Sequence, residues 1–397
     1  MKKIALSVML VLGLATAANS TDKMSQVDDG GNGGKTLHIA VVGPYSKNDP
    51  VAEQIRMATE LALEEAKEYI SVHFGWHLDT VTIDDEDNIG SVGKVMRQLN
   101  NDPRLVGVIS ASDSDITMAL VEQLSKEKIP VISPTATANK LTDRGFLNFN
   151  RLTPRESTQG VAVSDFMQKS LSVKKVYVIS DKTSSGDDLA NAVRNHLTQD
   201  KVDVVSFDGV PDKTFFAPTL IKIKNYKPDA IFFGGGAEVG GELLKAIRDA
   251  DINTPFVGGA GLDTPVFTKL AGKAAVGSYF STVVGPIEGY AYADDFIKNF
   301  KRTYKKEPTG WAILAYDSAK VMIKGIAKAA VTRDTDLGKI PGPNAIMDGI
   351  RSLSAQDLAT GDVRFNKNGD RSGTTLFIMK VGNNLDATMI RKIGAEQ

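Results

Sequence analysis

The sequence predicts an α/β protein with two doubly wound lobes, each a parallel β-sheet that carries helices on both faces. Three observations predict this fold. Short β-branched runs alternate with amphipathic segments from residue 36 onward, and the same alternation starts again near residue 175. The chain has 397 residues, which is long enough to form two cores of ordinary size.

The first set of elements begins with a buried strand at 37–42, which meets a turn at Gly43 and Pro44. A helix follows, because apolar residues recur at spacings of three and four, Asp49 can cap the first turn and Pro50 fits the first position. We then expect strands at 80–83, 105–110 and 129–133, with helices around 92–99 and 116–124 between them.

The second set repeats this order after residue 174. The pattern predicts strands at 175–180, 202–207, 229–233 and 255–258, and helices at 186–197, 216–226 and 237–250. Helices near 288–306 and 311–332 are expected to return to the first lobe. Three short strands at 361–365, 374–381 and 387–390, separated by Asn-rich turns, complete the chain.

The first twenty residues have the order of a secretory signal peptide. Lys2 and Lys3 precede an apolar run at 4–14, and small residues follow up to Ser20. Residues 21–35 are polar and rich in Gly and Asp, which is typical of a flexible tether. The chain has no cysteine, which excludes a disulfide framework and lipid attachment at a cysteine. We therefore expect an exported protein with a cleaved signal peptide.

The overall charge is close to neutral. The formal net charge is −1, and removal of residues 1–20, which hold two lysines and no acid, would make it −3. This balance provides no electrostatic footprint for nucleic acid. We expect a monomer with no nucleic-acid partner.

Enzyme chemistry has little support in the sequence. There is no G-x-S-x-G elbow, and the four histidines are scattered without a metal-ligand spacing. The glycines at 234–241 fail the G-x-G-x-x-G register, since Val239 stands where the third glycine belongs. We expect no catalysed reaction, no cofactor and no metal site, although a secreted hydrolase stays open as a remote alternative.

Polar loops follow several of the predicted strands. In open parallel sheets, ligands bind beyond the carboxyl ends of the strands. The loops at 111–115, 134–138 and 181–186 stand at such ends and are rich in Ser, Thr and Asp. Hydroxyl groups and unpaired N–H groups at a helix start can bind a carboxylate or a phosphate. The alternative is that these side chains only cap helices, which is their commonest use.

The chain resembles the type I periplasmic binding proteins of branched-chain amino acid ABC transporters, the leucine/isoleucine/valine-binding family, over about residues 36–380. The family fold has two lobes joined by a three-crossover hinge that closes around a ligand. The resemblance implies a first lobe at 36–152 and 286–360 and a second lobe at 153–285 and 361–397. It is carried by Gly43-Pro44, Ser133-Pro134-Thr135-Ala136-Thr137-Ala138, Asn150-Arg151, Gln159-Gly160, Asp181-Lys182, Phe233-Gly234-Gly235, Ala271-Gly272 and Tyr316-Asp317.

The resemblance also implies a ligand site. Ser114 and Thr137 would hold the ligand carboxylate, with the Thr135 carbonyl facing the ammonium group. The family's acidic partner for that ammonium group falls at Ala260 here, and its aromatic walls fall at Ser185 and Gly236. A buried ammonium group needs a replacement acid. The candidates in sequence are Asp181, Glu238 and Asp263.

These observations predict the periplasmic substrate-binding component of an ABC importer, which captures an amino acid or related small carboxylate between two closing lobes. Its partners would be the solute and the membrane subunits of an ABC permease. A ligand-sensing module of the same fold, serving a membrane receptor or regulator, is the alternative.

Overall fold

The computed structural model describes residues 35–210, 215–287, 290, 292–331, 339–356 and 358–394. The expected signal peptide at 1–20 and all but the last residue of the tether at 21–35 lie outside the described residues, so both stay predictions.

The described strands are β1 (Lys35–Gly43), β2 (Trp76–Asp84), β3 (Leu105–Ser110), β4 (Val131–Ser133), β5 (Phe149–Arg151), β6 (Lys175–Ser180), β7 (Asp203–Gly209), β8 (Ala230–Gly234), β9 (Phe256–Gly258), β10 (Tyr279–Thr282), β11 (Ser354–Ala355), β12 (Val363–Arg364), β13 (Thr375–Val381) and β14 (Ala387–Gly394). The described α-helices are α1 (Pro50–Phe74), α2 (Val92–Asn100), α3 (Ser114–Glu127), α4 (Lys140–Asp143), α5 (Glu156–Leu171), α6 (Ser184–Gln199), α7 (Ala217–Tyr226), α8 (Ala237–Asp249), α9 (Pro265–Ala271), α10 (Asp294–Tyr304), α11 (Gly310–Val331) and α12 (Pro343–Arg351).

The first lobe is built on a five-stranded parallel sheet in the order β2-β1-β3-β4-β5. Side chains along β1 alternate between the two faces, as the two-residue period of a strand requires. Ile39 and Val41 belong to a core with α1 and α11, whereas Ala40 and Val42 belong to a core with α2 and α3. Both faces are therefore covered by helices, as predicted for a doubly wound sheet.

The second lobe is built on a seven-stranded sheet in the order β14-β13-β10-β9-β8-β6-β7. Ile179 and Phe233 face a core with α8 and α9, and Val178 and Phe232 face a core with α5 and α6. Strands β6 to β10 are parallel, but β13 and β14 join antiparallel at the β10 edge. These two strands form a hairpin, and a short turn between neighbouring strands reverses the chain instead of carrying it across the sheet.

Helices α10 to α12 pack on the first lobe although they follow the second lobe in sequence. Phe296 and Phe300 of α10 and Tyr316 of α11 lie in the same core as α1, and the ring centroids of Phe296 and Tyr316 are 4.8 Å apart. The expected return of the segments near 288–306 and 311–332 to the first lobe agrees with this packing.

Within the described residues, the chain passes between the two lobes after β5, after β10 and between β12 and β13. Arg151, at the first crossing, is fully buried and its Nε donates to Asp370 Oδ1 at 2.7 Å, next to the third crossing. Arg151 Nη1 also donates to the Ala138 carbonyl at 2.8 Å. A buried guanidinium must be paired in this way, and the pair holds two crossings together. The residue bounds expected for the two lobes stay a prediction.

The sequence analysis did not identify helix α5, the first helix of the second lobe. Its segment is polar at many positions, so the apolar period is weak. Gly160 explains how such a helix packs, since an added Cβ there would lie 2.4 Å from the Ala192 Cβ of α6. This close approach of the two helices, together with the burial of Val163, Phe166 and Met167 in the core shared with β6 and β8, stabilises α5.

Candidate functional site

A cavity of about 320 Å³ lies between the two lobes, at the carboxyl ends of strands from both sheets. The loops after β3 and β4 line it from the first lobe, and the loops after β6, β8 and β9 line it from the second lobe. Seven site residues were predicted from the sequence, and all of them line this cavity: Ser114, Thr135, Thr137, Asp181, Ser185, Gly236 and Ala260. No ligand contact tests their individual roles, which stay proposals.

Ser114 begins helix α3 and joins two loops of the first lobe. Asp113 caps the helix, since its carboxylate accepts from the Ile116 N–H at 2.8 Å. The Ser114 Oγ accepts from the Thr137 N–H at 3.2 Å and from the Ala138 N–H at 3.1 Å. The hydroxyl keeps its own proton, so Ser114 can still donate one hydrogen bond toward the cavity.

Thr137 is connected to a buried acid that the sequence analysis did not identify. The Thr137 hydroxyl is hydrogen-bonded to Glu156 Oε1, and Gln159 Nε2 donates to Glu156 Oε2 at 3.0 Å. Burial raises the pKa of Glu156 to about 8, although the hydrogen bond from Thr137 opposes this shift. Glu156 is therefore a neutral carboxylic acid at pH 7. It can then donate to Thr137, which leaves the Thr137 proton available for a ligand oxygen.

Thr135 is half-buried in the same loop as Thr137. Its hydroxyl donates to the Ser112 carbonyl at 3.0 Å, and its N–H donates to Ser133 Oγ at 3.2 Å. These bonds fix the loop after β4 against the loop after β3.

Asp181 organises the second-lobe side of the cavity. Its carboxylate accepts from the Thr183 N–H at 3.0 Å, from the Thr183 hydroxyl at 2.7 Å and from the Gly236 N–H at 2.8 Å. The three donors tie the end of β6 to the end of β8. Asp181 has thereby used most of its accepting capacity within the protein.

Asp263 lies one turn beyond Ala260. Ala260 begins a 3₁₀ turn that ends at Leu262, and the carboxyl of the half-buried Asp263 accepts from the Thr282 hydroxyl of β10. Burial raises the pKa of Asp263 to about 6, although the bond from Thr282 opposes the shift. Asp263 lines the cavity, whereas Glu238 is exposed and lies outside the cavity lining. Three acids were proposed to replace the family's acid, which falls at Ala260 in this chain. The position of Glu238 outside the cavity lining excludes it as that replacement.

Three contacts join the lobes around the cavity. Asp115 of α3 accepts from the N–H of Ser184 at 3.2 Å and from its hydroxyl at the start of α6. The Asn139 N–H donates to Asp188 Oδ2 at 2.7 Å. The Trp311 indole N–H, from α11 of the first lobe, donates to the Asp263 carbonyl at 3.3 Å. The structure thus holds the two lobes in direct contact over the cavity.

Several lining residues had no role in the sequence analysis, notably Glu156, Trp311 and Asp115. Asp113 and Asp115 lie in the loop at 111–115, which was predicted as a candidate ligand-binding loop, so the sequence did contain an indication of their role. Glu156 directly follows the first crossing between lobes, and Trp311 reaches the cavity only through the return of α11. Neither residue lies in a polar loop after a predicted strand, which is the sequence feature that indicated the other site residues.

Away from the cavity, Asp165, His196 and Asp200 bring ligand-type atoms within 4.8 Å of one another. His196 Nε2 lies 3.5 Å from a carboxylate oxygen of each acid, so the three side chains form an ion-pair cluster between α5 and α6. Among the described residues, no helix is both long enough and apolar enough to cross a membrane.

Comparison with known proteins gives consistent results. A family model described as periplasmic binding protein matches residues 36–386. A Leu/Ile/Val-binding protein homolog of Brucella melitensis is 26% identical over 354 residues, which cover 87% of this chain and 91% of the relative. A leucine-, isoleucine-, valine-, threonine- and alanine-binding protein of Pseudomonas aeruginosa is 27% identical, covering 84% of this chain and 87% of the relative.

Solved structures share the fold. The crystal structure of a leucine-binding protein from Thermotoga maritima superposes with a TM-score of 0.79 at 22% identity, covering 90% of this chain and 98% of that chain. A branched-chain amino acid transporter substrate-binding protein from Streptococcus pneumoniae, in complex with isoleucine, superposes with a TM-score of 0.76 at 23% identity, covering 91% of this chain and 100% of that chain. The fold class predicted from the sequence is confirmed.

Proposed function

Since this chain belongs to the periplasmic binding protein family, we propose that it is the substrate-binding component of an ABC importer and captures an amino acid or related small carboxylate. By its name, the Pseudomonas aeruginosa relative binds leucine, isoleucine, valine, threonine and alanine, and the Brucella melitensis relative is a homolog of Leu/Ile/Val-binding proteins. One observation carries the proposal for this chain. The cavity lies between the lobes and is lined by hydroxyl-bearing side chains of both, among them Ser114 and Thr137 from the first lobe and Ser185 from the second. The protein catalyses no reaction in this role.

The solute's carboxylate would lie at the start of helix α3. There the Ser114 hydroxyl still has a proton to donate, and the helix N-terminus carries a partial positive charge. The Thr137 hydroxyl adds a second donor when Glu156 is the neutral acid. Charge-assisted hydrogen bonds of this kind can satisfy a buried carboxylate without a cationic side chain.

Closure of the lobes would remove the solute from water and present a defined surface to the permease membrane subunits. We propose that the protein acts as a monomer, without a nucleic-acid partner, and that residues 1–20 direct its export before cleavage. Mass spectrometry of the periplasmic fraction checks the export step, since the mature chain should lack Met1 and begin after about residue 17.

The carboxylate site is tested by Ser114→Ala. We expect a loss of about 1–3 kcal/mol in solute binding, because the desolvated carboxylate loses one donor. Isothermal titration calorimetry measures this loss with an amino acid that binds the unmodified protein. Ser125→Ala on the exposed side of the same helix is the control and should leave binding unchanged. Equal affinities of the Ser114 variant and the unmodified protein would contradict the proposed site.

A further inference from the structure

The ionisable side chains among the described lining residues of the cavity are all acidic. Among the described residues that line it, there are carboxyl groups but no lysine, arginine or histidine. The acids are Asp113, Asp115, Glu156, Asp181 and Asp263. A carboxylate solute without a cationic group would bring another negative charge into this enclosure, which like-charge repulsion opposes.

The acids differ in how many hydrogen bonds their carboxyl groups already form within the protein. Asp181 accepts three hydrogen bonds, and Asp115 accepts two from Ser184. Glu156 is bonded to Thr137 and Gln159. These three groups hold the cavity in shape. They are poorly suited to compensate a charge on the solute.

Among the second-lobe acids that line the cavity, Asp263 forms the fewest hydrogen bonds at its carboxyl within the protein, so it can accept the most from a ligand. Its carboxyl accepts only the Thr282 hydroxyl among the described donors, although the residue is half-buried. A carboxylate in such a place is stabilised by a cation brought by the ligand. Asp263 is one of the residues that line the cavity that the ligand would fill.

Trp311 provides an independent second feature at the same place. Its indole N–H donates to the Asp263 carbonyl at 3.3 Å, which fixes the ring beside Asp263, and the ring lines the cavity. Among the described residues that line the cavity, Trp311 is the one with an aromatic side chain. A carboxylate next to an indole ring is a favourable environment for an ammonium or guanidinium group, because the ring face attracts cations.

The second-lobe wall has room for a long side chain. Ser185, Gly236 and Ala260 are small, and an added Cβ at Gly236 would meet only the Asp181 carboxylate, at 3.9 Å. A solute could therefore extend from the start of α3 across the cavity toward Asp263.

We propose that the solute is an α-amino acid with a cationic side chain, and that its charged end lies between the Asp263 carboxylate and the Trp311 ring. This inference rests on the proposed function. The carboxylate end is held at Ser114, and Asp113, which directly precedes it, faces the α-ammonium group. Leucine, isoleucine and valine lack the charge that Asp263 requires, so they bind weakly.

The test compares solutes that differ in one group. L-lysine, L-ornithine and L-arginine are the cationic probes, and L-norleucine has the lysine chain without its amine. Calorimetry should give a dissociation constant for at least one cationic probe that is 100-fold or more below that for norleucine. Norleucine or leucine binding as tightly as every cationic probe would overturn this inference but leave the proposed function standing. An absence of binding by all amino acids, charged or not, would overturn this inference and leave the proposed function standing only for a small carboxylate without an amine. Absence of binding by small carboxylates as well would count against the proposed function.

Variants locate the charged end. Asp263→Asn keeps an acceptor for Thr282 and should weaken binding of the best cationic probe tenfold or more while leaving norleucine unchanged. Trp311→Leu removes the ring and should act in the same direction, so the test does not depend on one variant. Asp249→Asn, an exposed acid paired with Lys245 on α8, is the control and should change nothing. Unchanged lysine and arginine affinities in both cavity variants, with melting temperatures like that of the unmodified protein, would refute the assignment.

Discussion

At the scale of single residues, the cavity is organised by side chains that bond to one another before any solute arrives. Thr137 lies in the first lobe, Glu156 begins the first helix after the crossing, and Gln159 reaches the Ser281 hydroxyl of β10 at 3.4 Å. This buried polar chain connects the solute site to the sheet of the second lobe. Fully bonded networks of this kind hold side chains in one arrangement.

Glu156 makes the stability of the protein depend on pH. Its pKa is raised by burial to about 8, so between pH 5 and 8 the folded protein holds a proton that the unfolded chain releases. The free energy of unfolding should therefore fall as pH rises through this range, by up to about 1.4 kcal/mol per pH unit from this group. Glu156→Gln, which cannot ionise, should show a flatter dependence. Urea denaturation at pH 5.5 and pH 8 measures both proteins.

Asp165→Asn is the control for Glu156→Gln. It removes a carboxylate that is half-buried on α5 and whose pKa is lowered, mainly by the hydrogen bond from Lys169, so it should keep the downward trend of the unmodified protein between pH 5.5 and 8. Equal slopes for Glu156→Gln and the unmodified protein would show that Glu156 is ionised when folded.

At the scale of elements, helix α6 begins unusually close to the sheet. An added Cβ at Gly186 would lie 2.0 Å from the Asp181 carboxylate and 2.9 Å from the Gly234 carbonyl of β8. The glycine allows the helix start to pack against the strand end, and this packing brings Ser184 to Asp115 and Ser185 to the cavity.

Gly186→Ala should consequently destabilise the protein by about 1–3 kcal/mol, because the new methyl group overlaps the Asp181 carboxylate, which its hydrogen bonds hold in place, and crowds the Gly234 carbonyl. Thermal unfolding of the variant measures this. Gly236→Ala is the matched substitution on the same wall, where the new Cβ has room, and it should be neutral or slightly stabilising. Similar melting temperatures for the two variants would contradict the packing argument.

At the scale of the whole molecule, the lobes meet through contacts that opening would break. Trp311 is one of two tryptophans in the chain, and its indole bond to Asp263 crosses from one lobe to the other. The second tryptophan, Trp76, is fully buried and stacked on Phe74 within the first lobe. Trp311 therefore reports the relative position of the lobes, whereas Trp76 does not.

Solute binding should shift tryptophan emission to shorter wavelength, because closure removes Trp311 from water. Titration of the unmodified protein with a calorimetrically verified solute measures the shift. Trp311→Phe, which retains Trp76, should abolish it. A solute that binds with unchanged emission, together with an unchanged radius of gyration in small-angle scattering, would contradict lobe closure.

The sequence by itself determined the local elements and the loops that line the cavity. Strand and helix periods, the Asp49 cap and the polar loops after β3, β4 and β6 are encoded within short windows of the chain. These windows identified the polar loops at 111–115, 134–138 and 181–186 as neighbours, since parallel strands bring their carboxyl ends to the same edge. The seven individual site residues were named only with the help of the family resemblance, and all of them line the cavity.

Only the tertiary structure determined which side chains from distant parts of the chain contact one another. Trp311 reaches Asp263 only because α11 returns to the first lobe and the two lobes touch, and Glu156 is a neutral acid only because the surrounding fold buries it. The antiparallel direction of β13 and β14 likewise depends on a hairpin at the β10 edge. Local periodicity cannot encode such contacts, because burial and electrostatic environment arise from the packing of residues far apart in sequence.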